Sequence, residues 1–159
     1  MDMENKQDHP GIYIPPPLFY VIAFIGSLFL QKIVTLNDQF FQTIAASILS
    51  ILLIIAGVIF LIPALRRFIK SRNTVITAKP ANSLQTEGVF AISRNPMYLS
   101  LILLYTGISF LIGNWWCIIL IPILFLINQE YIIKREVSYL ERRFGEEYQD
   151  YKSTVRRWL

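Results

Sequence analysis

Residues 97–129 read MYLSLILLYTGISFLIGNWWCIILIPILFLINQ, a run without a single charged side chain. As one helix it would extend about 50 Å at 1.5 Å per residue, well beyond the roughly 30 Å of a bilayer's hydrocarbon core. The run must therefore turn, and Gly113-Asn114 near its middle supplies the turn residues. Two helices over 96–112 and 115–133 follow, with Trp115 and Trp116 placed for an aromatic belt at the turn.

Working outward, Phe41 to Leu65 is also free of charge and stops at Arg66-Arg67, a cationic boundary. Leu18 to Leu36 is apolar apart from Ser27, Gln31, Lys32 and Thr35, and Pro15-Pro16-Pro17 stands before it. The sequence thus predicts an all-α integral membrane bundle over residues 1–159 as one domain. Its four spans are near 18–36, 41–65, 96–112 and 115–133, with a polar loop at 66–95 and a polar tail at 134–159. With 54% of its 159 residues apolar, the chain is too hydrophobic for an ordinary soluble domain of this size.

The cations assign sidedness. Arg66, Arg67, Lys70, Arg72, Lys79 and Arg94 lie between the second and third spans, and Lys134, Arg135, Arg142, Arg143, Lys152, Arg156 and Arg157 follow the fourth. The turns at 37–39 and 113–114 carry none, so the positive-inside bias puts both termini in the cytoplasm. These cations face anionic lipid headgroups, and no nucleic-acid partner is implied. The mixed charges at Asp2, Glu4, Lys6 and Asp8 give no cleavable signal. His9 belongs to this polar leader and reads as solvated. The lone Cys117 falls within a span and reads as a packing residue.

In the tail, Val137, Leu140, Phe144, Tyr148 and Tyr151 recur at spacings of three and four and make one apolar face, with Gly145 as a cap or kink. This amphipathic helix is expected to lie at the interface or to fold back on the segment around Arg94. Glu130, an acid at the end of an apolar helix, has Lys134 four residues on as its partner. No metal-ligand spacing, phosphate-binding glycine loop or serine nucleophile signature is present.

One order of residues is more specific than any of these features alone. Thr86-Glu87-Gly88-Val89-Phe90 is followed by Ser93-Arg94-Asn95-Pro96-Met97-Tyr98-Leu99 and the apolar hairpin. Then come Arg135-Glu136, Tyr139-Leu140, Phe144-Gly145-Glu146-Glu147-Tyr148, Tyr151 and a closing Val155-Arg156-Arg157-Trp158. This second half of the chain resembles the isoprenylcysteine carboxyl methyltransferase and phospholipid methyltransferase superfamily, most of all its short bacterial members, which makes a bacterial inner membrane the expected location.

The resemblance implies an S-adenosylmethionine-dependent transferase acting on a lipophilic acceptor that enters from the bilayer, at oxygen, nitrogen or sulfur. Carried over by position, the cofactor residues are Asn82, Ser83, Leu84, Gln85, Phe90, Asn95, Pro96, Met97, Tyr98 and Glu136. Arg94 is added because a guanidinium suits the cofactor's carboxylate. Two positions depart from the family pattern: Asn95 stands for a histidine, and Val137 for the second acid of a Glu-Glu pair. The arginine that members use for a substrate carboxylate falls on Ile132, with Arg135 as the substitute substrate contact. No catalytic residue is named, and no metal. Two other readings stay open: a non-catalytic scaffold or lipid-binding protein, and a nicotinamide-dependent membrane reductase of the same superfamily.

Overall fold

The computed structural model describes residues 9–71 and 80–159. The cations Arg72 and Lys79 and the leader's charged residues lie outside these. Among the described residues every regular element is helical, in the order α1 (Pro16–Ile33), α2 (Ile44–Lys70), α3 (Pro96–Ile112), α4 (Trp115–Ile119), α5 (Ile121–Leu126), a π-helical turn (Ile127–Ile133), α6 (Lys134–Phe144) and α7 (Glu146–Thr154). Short 3-10 turns occupy Gln39–Gln42 and Gly88–Ala91.

Among the described residues three helices are long and apolar enough to cross a membrane: α1, α2 and the composite helix Trp115–Phe144. The apolar α3 is shorter, at 17 residues.

Local chemistry explains where the ends fall. The expected first span starts earlier and stops earlier, because Pro16 and Pro17 occupy the first helical turn, where a missing N–H is harmless. At its other end the Gln31 side chain donates to the Leu36 carbonyl at 3.1 Å and turns the chain away. The second helix begins at Ile44 rather than Phe41, since Thr43 caps it by accepting from the Ala46 N–H. Phe40 and Phe41 instead pack with Phe110 and Trp115. That helix also runs through Pro63 to Lys70, so Arg66, Arg67 and Lys70 are helical rather than part of a loop.

The hairpin turns where the sequence places it. Gly113 takes φ 75° and ψ 41°, a left-handed conformation that ends α3, and Asn114 caps α4 by accepting from the Trp116 N–H at 2.9 Å. The two indoles donate to the carbonyls of Asn37 and Val34, tying this turn to the end of α1.

The last expected span is not one regular helix. Pro122 has no N–H to offer Ile118, and the helix is interrupted at Leu120. It then widens into the π turn, which carries the buried Asn128, a donor to the Tyr20 hydroxyl. No break separates Ile133 from Lys134, so the tail expected to start at 134 begins in mid-helix. Glu130 and Lys134 pair as expected, both well exposed.

The helices α2 and α3 form the most extensive pair. Their approach depends on Gly57 under Leu104 and Gly107 over Ile54, with Ser50 Oγ donating to the Gly107 carbonyl at 2.8 Å. A Cβ on Gly107 would lie 2.7 Å from Ile54 Cγ1 and 3.0 Å from the Ser50 carbonyl oxygen. Gly107→Val is therefore expected to destabilise the protein by about 1–3 kcal/mol through overpacking. Thermal unfolding in detergent would register this as a lowered midpoint.

Candidate functional site

A cavity of about 500 Å³ lies where the start of α1, the end of α2, the start of α3 and the α6–α7 segment meet. This is within the roughly 300–1,000 Å³ range of small-molecule sites. Its walls are mostly apolar. Leu61, Leu65 and Phe68 share one face of α2, and Phe68 stacks on Phe90 with centroids 5.7 Å apart.

The polar part of the wall is assembled by the tail. Gly145, at φ 53° and ψ −123°, folds α7 back on α6, and Lys152 bonds Glu141 at 2.6 Å across the pair. The Tyr151 hydroxyl then donates to the Phe90 carbonyl at 2.7 Å. The final residues are held against the turn preceding α3. Asn95 Nδ2 donates to the Arg157 carbonyl at 2.9 Å, Ser93 Oγ donates to the same oxygen at 3.3 Å, and the Arg94 N–H donates to the Arg156 carbonyl at 3.0 Å. Trp158 packs on Phe125. From the other side, Tyr139 accepts from the Ala81 N–H at 2.8 Å, anchoring the segment that holds Ser83 and Gln85.

Two groups of opposite charge type face the cavity. Arg94 presents Nε and Nη1, both buried and without a hydrogen-bond partner among the described residues. Glu136 Oε2 accepts from the Tyr98 hydroxyl at 2.9 Å. Burial raises the Tyr148 phenol above its ordinary range, with the Arg94 guanidinium opposing and the Glu136 charge adding to the shift. Burial likewise raises Tyr151. Both hydroxyls therefore stay protonated near neutrality.

Ser83, Leu84, Gln85, Phe90, Arg94, Asn95, Pro96, Met97, Tyr98 and Glu136, all named from the sequence, line this one cavity. Asn82 and Arg135 do not. Arg135 donates to the Gly11 carbonyl at 3.0 Å and lies over the Tyr131 ring, 4.5 Å from its centroid. The amide of Asn95 is directed to the tail rather than left open, although the residue borders the cavity.

Sequence reasoning missed the leader. Pro10, Ile12, Tyr13 and Pro15–Pro17 all contribute to the wall, and Ile12 is 1% exposed. It also quoted Tyr139 within the motif order but did not count it among the site residues, since it falls between the spacings of the tail's apolar face. The proline run was the available signal, since it fixes the chain's path into α1.

The "Phospholipid methyltransferase" family profile matches residues 45–147, about two thirds of the chain. The chain belongs to the phospholipid methyltransferase family. That agrees with the superfamily its motifs resemble and makes it a membrane protein of a methyltransferase family. An uncharacterized protein of Haemophilus influenzae is 43% identical over 63 residues, which are 40% of this chain and the whole of that protein. No solved structure matches.

The Asn95 contact to the tail carries its own expected result. Asn95→Ala should raise hydrogen exchange across residues 155–159 and cost about 0.5–1.5 kcal/mol, because the part-buried Arg157 carbonyl keeps only the longer bond from Ser93. Asn95→His, which keeps an N–H, should restore most of the protection, and exchange mass spectrometry in detergent measures both.

Proposed function

We propose that this protein transfers the methyl group of S-adenosylmethionine to a lipophilic acceptor resident in the membrane. The observation that carries the reading is the pair of unpartnered Arg94 nitrogens in a cavity that also presents Glu136. Two buried guanidinium nitrogens without a partner among the described residues are unfavourable, whereas an anionic ligand would give them charge-assisted hydrogen bonds. An amino-acid moiety carries a carboxylate and an ammonium on one carbon, matching Arg94 and Glu136 in charge. Phe90 and Met97 offer apolar contact to a purine, and Ser83 and Gln85 offer polar contact to a ribose.

When bound, the cofactor supplies a methyl group on a cationic sulfur. The chain's own work is to orient and to exclude water. Arg94, Glu136 and the Ser83–Gln85 segment hold the donor in one pose, so that an in-line approach becomes effectively unimolecular. The α6–α7 fold and the tail pinned by Asn95 and Ser93 close the polar wall over it. No covalent enzyme intermediate is required.

In this reading α3 and the interfacial residues around it complete a fourth span. Both termini and the cavity face the cytoplasm across the inner membrane, the α6–α7 segment lies at that surface against anionic headgroups, and residues 1–159 act as one domain. Calorimetry of the detergent-purified protein tests the reading. Saturable binding of S-adenosylmethionine is expected, followed by transfer of a radiolabelled methyl group into a lipid extract. Binding of a reduced nicotinamide dinucleotide alone would replace it with the reductase, and binding of neither would leave a scaffold.

A further inference from the structure

The last apolar stretch of the chain carries a polar amide into the packed interior. Asn128 is 1% exposed and lies in the π turn, where its Nδ2 donates to the hydroxyl of Tyr20 on α1. Its Oδ1 is buried with no partner among the described residues, so the bond to Tyr20 is what offsets the burial of the amide. A polar side chain inside a membrane-spanning helix is costly and marks a place where function is to be sought. Neither Asn128 nor Tyr20 lines the cavity.

The π turn is fastened at both ends. Such turns are rare inside helices and gather at functional sites. At its start stands the Asn128–Tyr20 bond, and at its end Ile132 and Ile133, 0% and 1% exposed, pack against Ile12 and Tyr98. The residue that the turn inserts takes back about 100° of rotation, which brings Glu136 to within about 20° of Asn128 around the helix. Their partners are aligned in the same way. Glu136 accepts from the Tyr98 hydroxyl, and the Tyr20 ring packs edge-on against Tyr105 with centroids 5.6 Å apart. Tyr105 follows Tyr98 by seven residues, so the two share one face of α3 to within about 20°. One turn therefore sets two contacts on one side of the helix, the first outside the cavity and the second within it.

We propose that Asn128 and Tyr20 are positioning residues for the cofactor's ammonium: their bond latches the π turn, and the latched turn aims the Glu136 carboxyl group into the cavity. The inference rests on the methyltransferase reading. With regular helix over 127–133, Glu136 would fall out of line with Tyr98 and the ammonium would lose its counter-charge. Half of the latch comes from α1, and Tyr20 stands well ahead of residue 45, where the family match begins. A single hydrogen bond transmits no more than it contributes, which sets the expected effect at about three- to tenfold in affinity.

The test is calorimetry on the full chain in detergent with two probes. One is S-adenosylhomocysteine, the demethylated cofactor; the other is its desamino analogue, which keeps the nucleoside, the sulfur and the carboxylate and lacks the ammonium. Asn128→Leu keeps the bulk of the side chain and removes a buried amide, and Tyr20→Phe keeps the ring against Tyr105 and removes the hydroxyl. Each should weaken S-adenosylhomocysteine binding by about three- to tenfold and leave the desamino analogue within about twofold of the unchanged chain. In a Glu136→Gln background, Asn128→Leu should cost less than about twofold further, because the carboxylate it aims is already gone. Undiminished binding of S-adenosylhomocysteine by both variants overturns the latch. An equal loss for the desamino analogue, or an equal loss in the Glu136→Gln background, overturns it too, since either marks a general loosening of the bundle. An unchanged chain that binds neither S-adenosylmethionine nor S-adenosylhomocysteine overturns the methyltransferase reading itself and the latch's role with it.

Discussion

Arg94→Met is expected to weaken S-adenosylmethionine binding by roughly 10- to 100-fold, since hydrogen bonds to a charged group contribute about 1.5–3 kcal/mol and each 1.4 kcal/mol is tenfold in affinity. The same change should stabilise the ligand-free protein. In the unsubstituted chain Nε and Nη1 are buried without partners among the described residues, so an apolar side chain of similar length removes an uncompensated desolvation cost. Opposite signs in the two measurements are what distinguish a ligand-receiving arginine from one that merely reaches for lipid phosphate. If binding is unchanged, or if the empty protein loses stability, Arg94 is doing something else. Calorimetry for binding and thermal unfolding without ligand give the two readouts.

The second large effect is expected at Glu136. Glu136→Gln keeps an oxygen to accept from the Tyr98 hydroxyl, now 2.9 Å from the carboxyl group, but removes the charge offered to an ammonium. Binding should fall roughly tenfold or more with the unfolding midpoint nearly unmoved. Glu136→Ala should lose binding as well and in addition cost about 1–3 kcal/mol of stability, because a buried tyrosine hydroxyl is then left without its acceptor. Tyr98→Phe in the Glu136→Ala background should return part of that stability and none of the binding. Equal affinity of the unsubstituted and Gln proteins would exclude the carboxyl group as a charge partner.

How much of this was legible beforehand depends on the kind of signal. The turn at Gly113-Asn114 could be read because a charge-free run longer than a bilayer has to reverse, and glycine is the residue that takes the left-handed conformation there. Pro96 at the first position of α3 and Gly145 between α6 and α7 were legible for similar local reasons. Ser83, Leu84, Gln85, Phe90, the run from Arg94 to Tyr98 and Glu136 could be named together because the order of the motifs around them resembles that of a family, and they do share one cavity.

Other features leave no such trace. A leader of prolines and mixed polar residues has no period, so nothing marked Ile12 as a buried wall against Tyr98. Helix ends at Gln31 and Thr43 were set by single side-chain hydrogen bonds that hydropathy does not register. Arg135 was named for its charge, but its neighbours Gly11 and Tyr131 were invisible until the leader was seen to fold back.

The π turn at Ile127–Ile133 has a further implication for how such chains diverge. At about 100° per residue in a regular α-helix, Asn128 and Glu136 would point roughly 80° apart. The wider turn lets Asn128 reach Tyr20 while Glu136 reaches Tyr98. Such bulges behave as one-residue insertions. Alignment gaps at this place thus carry mechanistic weight: losing one residue here would shorten the chain by a barely noticeable step, yet swing every downstream side chain to a new azimuth. Annotators comparing related sequences should count through this stretch before matching acids by name.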